Sequence, residues 1–152
     1  MLRMTIMTTK LKLKIVTPER VLFESDVASV TCPTTLGEIT ILPNHIPLAS
    51  SLVPGEIRFR DSGEEKFLAS GGGVVEVKAT GEVVILADSA EAAHEIDVAR
   101  AEQAKVRAQK IMSEKILSDE EYATTAASLE KSLARLRVAR RRKQPSRHAD
   151  EI

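Results

Sequence analysis

Aromatic side chains are nearly missing from this sequence: Phe23, Phe59, Phe67 and Tyr122 are the full set, and tryptophan is absent. Any hydrophobic core must therefore be packed from Val, Ile, Leu and Ala, and a hydrophobic content of 43% is enough to argue against wholesale disorder. The single cysteine, Cys32, excludes an intramolecular disulfide. It suits a reducing compartment and reads as a small packed side chain. No apolar run approaches the roughly 20 residues that a membrane-spanning helix needs. Residues 1–9 carry one early Arg3 and a polar interior, too little for a signal peptide. Patterned sequence begins only at Lys10, which leaves Met4 and Met7 as alternative starts, and a cytosolic protein is the expectation. Histidines are equally sparse. His45, His94 and His148 lie far apart without ligand-type spacing, so neither a zinc site nor a Ser/His/Asp triad assembles from them.

Net charge is also zero, but two unlike halves make up the balance. Residues 1–95 carry nine Lys/Arg against thirteen Asp/Glu, and residues 96–152 carry thirteen against nine. The basic excess is concentrated in Lys131–Arg147, where eight residues are basic and none is acidic. Such a block seeks an acidic partner or is the solvated face of a helix running into a frayed tail. Charge pattern alone favours the second.

Up to about Ala87 the chain reads as short strands separated by turn signals. Lys10 to Ile15 alternates strictly, with Leu11, Leu13 and Ile15 on one face and lysines on the other. Glu56-Ile57-Arg58-Phe59-Arg60 repeats the arrangement; Asp61-Ser62-Gly63-Glu64 is a hairpin turn, and Glu65–Leu68 returns. Val74–Val77 and Val83–Leu86 flank a second turn at Thr80-Gly81, and further strands are predicted at Val21–Phe23, Val27–Cys32 and Glu38–Leu42. Many short strands at this spacing predict an antiparallel sandwich or flattened barrel. Gly71-Gly72-Gly73 lacks the Lys-Ser/Thr of a phosphate loop and enters a strand, so it reads as a bulge or a close backbone approach.

Beyond Ala87 the period changes. From Asp97 to Met112 the apolar positions Val98, Ala101, Ala104, Ala108 and Ile111 recur at helical spacing. Ser113–Ser118 is a short connection, and Ser118 with Asp119, Glu120 and Glu121 forms a capping box. A second helix follows, with Tyr122, Ala126, Leu129, Leu133 and Leu136 as its stripe, running to about Lys143 before Pro145. The short connection makes the two helices an antiparallel hairpin. Its alanine-rich seam contributes less than the roughly 1.5–3 kcal/mol of each buried Leu, so an isolated hairpin is expected to be marginal and able to exchange partners.

At the start of the first helix Glu91, Asp97, Arg100 and Arg107 come together. Arg100 and Arg107 are seven apart and share a helix face, where two guanidiniums suit a polyphosphate and carboxylates suit ribose hydroxyls or an amino group. Ordinary intrahelical charge pairing is the competing reading, and pattern alone prefers it. His45, in Leu42-Pro43-Asn44-His45-Ile46-Pro47, reads as a residue of a rigid loop with structural or contact roles.

Four segments taken together resemble the epsilon subunit family of bacterial F-type ATP synthases, from about Lys10 to Lys143. They are Val16-Thr17-Pro18-Glu19 after the first strand; Gly37–Leu48, with its Leu-Pro-x-His-x-Pro-Leu ending; Ser70–Val77 with Val84–Asp88; and Leu133–Ala139 in the Ala-rich second helix. The resemblance implies an N-terminal sandwich of about ten strands over residues 10–94 and a C-terminal helical hairpin over 95–143, with 1–9 and 144–152 as tails. It implies a non-catalytic rotor subunit, peripheral on the cytoplasmic face of the bacterial inner membrane. The sandwich would meet the gamma subunit and the c-ring through residues such as Glu38, Pro43, His45 and Pro47. The hairpin would inhibit ATP hydrolysis when Arg135, Arg137, Arg140 and Arg141 face the alpha and beta subunits.

No cofactor is required by the resemblance, but a regulatory ATP is allowed. Ile96-Asp97-Val98-Ala99-Arg100-Ala101 matches the Ile/Leu-Asp-x-x-Arg-Ala motif of ATP-binding members, and Glu91, Arg107 and Arg135 fall on further positions of that site. Lys131 stands where those members carry another Arg, keeping the charge without the planar fork. Two other classes compete. A small sandwich enzyme using His45 lacks a paired base, carboxylate or oxyanion site in the sequence. A nucleic-acid module on the basic helix lacks aromatics there beyond Tyr122.

Overall fold

The alternation at Lys10–Ile15 is resolved as β1 (Leu11–Val16), with Leu11, Leu13 and Ile15 buried and Lys12 exposed. The computed structural model describes residues 9–141; expectations for 1–8 and 142–152, including the last part of the basic block, lie outside the described residues. β2 (Val21–Val27), β3 (Ser29–Thr34), β4 (Gly37–Ile41), β5 (Leu48–Leu52), β6 (Gly55–Asp61), β7 (Glu64–Ser70), β8 (Gly73–Val77), β9 (Glu82–Ala87) and β10 (Ala90–Ala92) follow. Their hydrogen-bonded order is β10-β7-β6-β3-β5-β8-β9-β1-β2, with β4 paired to β3. All pairs are antiparallel except β1 with β9. β3 pairs with β6 near its start and meets β5 only at Thr34–Leu52, so the sheet turns there into two layers. Val27, Val30, Ile41, Ile57, Val75 and Ile85 pack between them, and Phe23 packs against Phe59 with ring centroids 4.4 Å apart and the rings tilted by 46°.

Turn chemistry follows the sequence closely. Ser62 and Gly63 both take positive φ between β6 and β7, the left-handed pair a two-residue hairpin requires. Gly73 is the close approach expected of the triple glycine: its φ is +144°, and a Cβ there would collide with the Leu86 carbonyl across the β8–β9 pair. Cys32 is fully buried in the core, and burial, helped by nearby Glu38, pushes its thiol up to about 11.

Three local expectations are corrected. Val27–Cys32 is not one strand, because Val27 closes β2 and the chain steps to the other layer at Ala28, whose N–H donates to Arg60 at 2.8 Å. β5 and β10 were not signalled, since Leu48-Ala49-Ser50-Ser51-Leu52 and Ala90-Glu91-Ala92 have little β-branched content. They are strands because β8 and β7 offer them paired edges. Val98 and Tyr122, expected in the helix seam, are about half exposed, at 51% and 53%.

A 3-10 turn (Ala93–Glu95) leads into α1 (Val98–Glu114), and α2 (Asp119–Arg141) returns. Asp97 caps α1 by accepting from the Arg100 N–H at 3.1 Å. Ser118 caps α2: its Oγ accepts from the Glu121 N–H at 3.2 Å and donates to the Glu121 carboxylate at 3.0 Å. α2 is the middle layer of a three-layer arrangement, packed on α1 and on β6, β7 and β10. Ala134 and Val138 bury one face against Ala69, Ile96 and Phe67. Ser132 and Leu136 are buried on the opposite side of the helix. The hairpin is therefore not the thin two-helix unit its alanine seam implies; it gains a second contact from the sandwich.

Candidate functional site

A groove of about 660 Å³ runs between α1 and α2, lined by Asp97, Arg100, Gln103, Arg107, Lys131 and Arg135 among others. Helical spacing explains the assembly. Arg100, Gln103 and Arg107 recur at three and four residues on α1, and Lys131 and Arg135 are four apart on α2. Four cations and one carboxylate, together with Ser128 and Ser132, give a basic, polar concavity of a size and charge suited to a polyphosphate ligand.

Five of the eight expected ligand-site residues line this groove. Glu91 reaches it indirectly: its carboxylate accepts from Arg135 Nε at 2.7 Å. Ile96 and Ala101 are buried, Ile96 in the cluster beneath α2, so they shape the site without facing it. Lys131 extends its stem over Gly71, where a Cβ would lie 3.5 Å from Lys131 Cε. The sandwich thus supports both second-helix cations of the groove.

The expected partner residues divide differently. Pro43, His45 and Pro47 share the β4–β5 loop, where His45 Nδ1–H donates to the Ile46 carbonyl at 2.7 Å and Ile46 is 74% exposed. Glu38 is not with them. It lies at the other end of β4, about 13 Å of strand away at 3.3 Å per residue, and accepts from Arg58 at 2.7 Å. Of the α2 arginines, Arg137 and Arg140 are exposed, Arg135 is held by Glu91, and Arg141 is held by Glu56.

One surface escaped the sequence reading. Val74, Leu86, Val16 and Val21 are registered neighbours across β8, β9, β1 and β2, forming a row on the outer face of the sheet. Val74, Leu86 and Val21 are each about half exposed. Buried neighbours at alternate positions hide the row in sequence, because Val74-Val75 and Ile85-Leu86 read simply as continuous apolar runs. Among the described residues, no helix is long and apolar enough to cross a membrane.

Solved structures share this fold. A chain of the Euglena gracilis mitochondrial ATP synthase OSCP/F1/c-ring structure superposes with a TM-score of 0.75 at 21% identity, covering 91% of this chain and 86% of that one. A chain of the Tetrahymena thermophila mitochondrial ATP synthase central stalk/c-ring structure gives 0.60 at 16% identity, covering 88% and 96%. In sequence, the chain is 47% identical to the ATP synthase epsilon chain of Dehalococcoides mccartyi over 137 residues, 90% of this chain and 97% of that protein. It is 41% identical to that of Herpetosiphon aurantiacus, over 88% of this chain and 96% of that protein. Residues 10–93 match the family model for the ATP synthase delta/epsilon chain beta-sandwich domain, and residues 94–140 match that for its long alpha-helix domain. With both models matched in order and nearly end to end, the chain belongs to the ATP synthase delta/epsilon chain family.

Proposed function

We propose that the chain is a non-catalytic central-stalk subunit of an F-type ATP synthase, coupling c-ring rotation to the catalytic head and restraining ATP hydrolysis through its helices. The observation that carries this reading is the match to both epsilon-chain domains over residues 10–140. Neither an enzyme built on His45 nor a nucleic-acid module accounts for that match, and neither is retained. On this reading the chain sits in the peripheral sector of the complex, on the cytoplasmic face of the bacterial membrane; family membership supports the peripheral sector.

Roles follow from the surfaces. The apolar row Val16, Val21, Val74 and Leu86 is the surface assigned to the gamma subunit, since a protein partner gains most from covering exposed aliphatic side chains. The Leu42–Pro47 loop is assigned to the c-ring side, and the outward Arg137 and Arg140 to acidic surfaces of the alpha and beta subunits; Glu38, at the other end of β4, is not assigned with the loop. The groove between the helices is assigned to a regulatory ATP, with Arg100, Arg107, Lys131 and Arg135 on the phosphates and Asp97 toward the ribose or base. ATP held only by the docked hairpin stabilises it by RT ln(1 + [ATP]/Kd), about 1.4 kcal/mol at ten times Kd. Affinity purification of the tagged full chain from native membranes tests the assignment: alpha, beta and gamma subunits are expected with it in stoichiometric amounts. Recovery of the chain alone, from membranes that hydrolyse ATP normally, would contradict it.

A further inference from the structure

Two arginines of α2 are held by a row of the sandwich built to receive them. Ala69 of β7 is the registered partner of Glu56 on β6 and of Glu91 on β10, so the two carboxylates flank Ala69 on one face of the sheet. They stand two strands apart, about 9.6 Å at the usual strand spacing. Ala134 and Val138 seat α2 on Ala69 between them. Arg141 Nε and Nη2 donate to the two oxygens of Glu56, both at 2.9 Å, and its guanidinium lies 4.0 Å from the Phe67 ring centroid. Arg135 Nε donates to Glu91 at 2.7 Å. The Glu56 and Arg135 side chains are 13% and 16% exposed and their partners Arg141 and Glu91 43% and 34%, so each pair is partly buried.

We infer that Glu56 and Glu91 form an intramolecular decoy for an acidic protein surface, masking Arg135 and Arg141 while α2 is docked and releasing them when it leaves. The masked arginines interleave with Arg137 and Arg140, which face outward in the same state. Docking therefore splits the basic face: half is presented and half is satisfied by the chain's own carboxylates. Undocking frees both arginines and both carboxylates at once, so it is favoured where a partner supplies replacement carboxylates. The latch stands on the geometry; its consequence for ATP hydrolysis rests on the proposed braking role.

The test uses the full chain with spin labels at introduced cysteines replacing exposed Thr80 and Ile116, Cys32 being buried. Glu56→Gln and Glu91→Gln are each expected to raise the undocked fraction roughly fivefold, and together more, from the strength of bidentate, partly buried pairs. Asp61→Asn, which breaks the Lys66 pair away from α2, is expected to leave the distance distribution as it was. Arg141→Gln reads the same latch from the helix side, should Glu56→Gln disturb the sheet. Unchanged distances in the double variant, or an equal shift in Asp61→Asn, overturn the decoy. In the assembled enzyme the double variant is expected to lower ATP hydrolysis. An opened hairpin with unchanged hydrolysis overturns the braking role and leaves the latch standing, whereas unchanged distances overturn the decoy alone.

Discussion

Arg100 shows how a single residue connects local folding to chemistry. Its N–H closes the Asp97 cap, and the next helical turns bring its side chain into the groove with Arg107, Lys131 and Arg135. Charge-assisted bonds to phosphate contribute about 1.5–3 kcal/mol each. Isothermal titration of the full chain is accordingly expected to show ATP binding at millimolar affinity or tighter, weakened about tenfold or more in Arg100→Ala. No heat at several millimolar ATP would contradict the regulatory site. Asp97, Arg100 and Arg107 were legible in sequence because one helix carries them at fixed offsets. The Glu91–Arg135 and Glu56–Arg141 pairs were not, because they join residues 44 and 85 apart, a separation that only the docked fold brings together.

Among the elements, α2 was legible in its cap and extent but not in how it packs. A helix buried on one side announces itself by a single stripe, but α2 buries Ala134 and Val138 on the sandwich side and Ser132 and Leu136 on the other. Two opposed stripes cancel, and the expected stripe holds Leu136 of one and neither Ala134 nor Val138 of the other. The strands were easier. β1 and β6 alternate cleanly and the β6–β7 hairpin carries its turn residues with it, whereas β5 and β10 depend on the edges they join. Because the main core cluster is drawn wholly from β1–β10, the sandwich is expected to fold without the helices. A fragment ending at Glu95 should unfold in a single cooperative transition, as urea denaturation followed by circular dichroism would show. It should lose some stability, since Ala69 and Phe67 lose their cover. A broad, noncooperative transition would show that the helices are part of the core.

For the whole molecule, one unit performs two tasks by keeping them on separate surfaces. The sandwich presents aliphatic side chains and loops to its neighbours, while the hairpin holds its basic face partly in reserve against Glu56 and Glu91. On the proposed function, coupling depends on residues 10–93 and restraint on the helices. The charge asymmetry between the two halves, concealed by a net charge of zero, is consistent with this division but did not by itself point to it. The most direct test compares membranes carrying the full chain with membranes whose chain stops before Asp97. ATP hydrolysis should rise several-fold in the shortened form while proton-driven ATP synthesis stays near the full-chain level. Hydrolysis left unchanged, or synthesis lost along with the helices, would contradict the assignment of restraint to the hairpin and coupling to the sandwich.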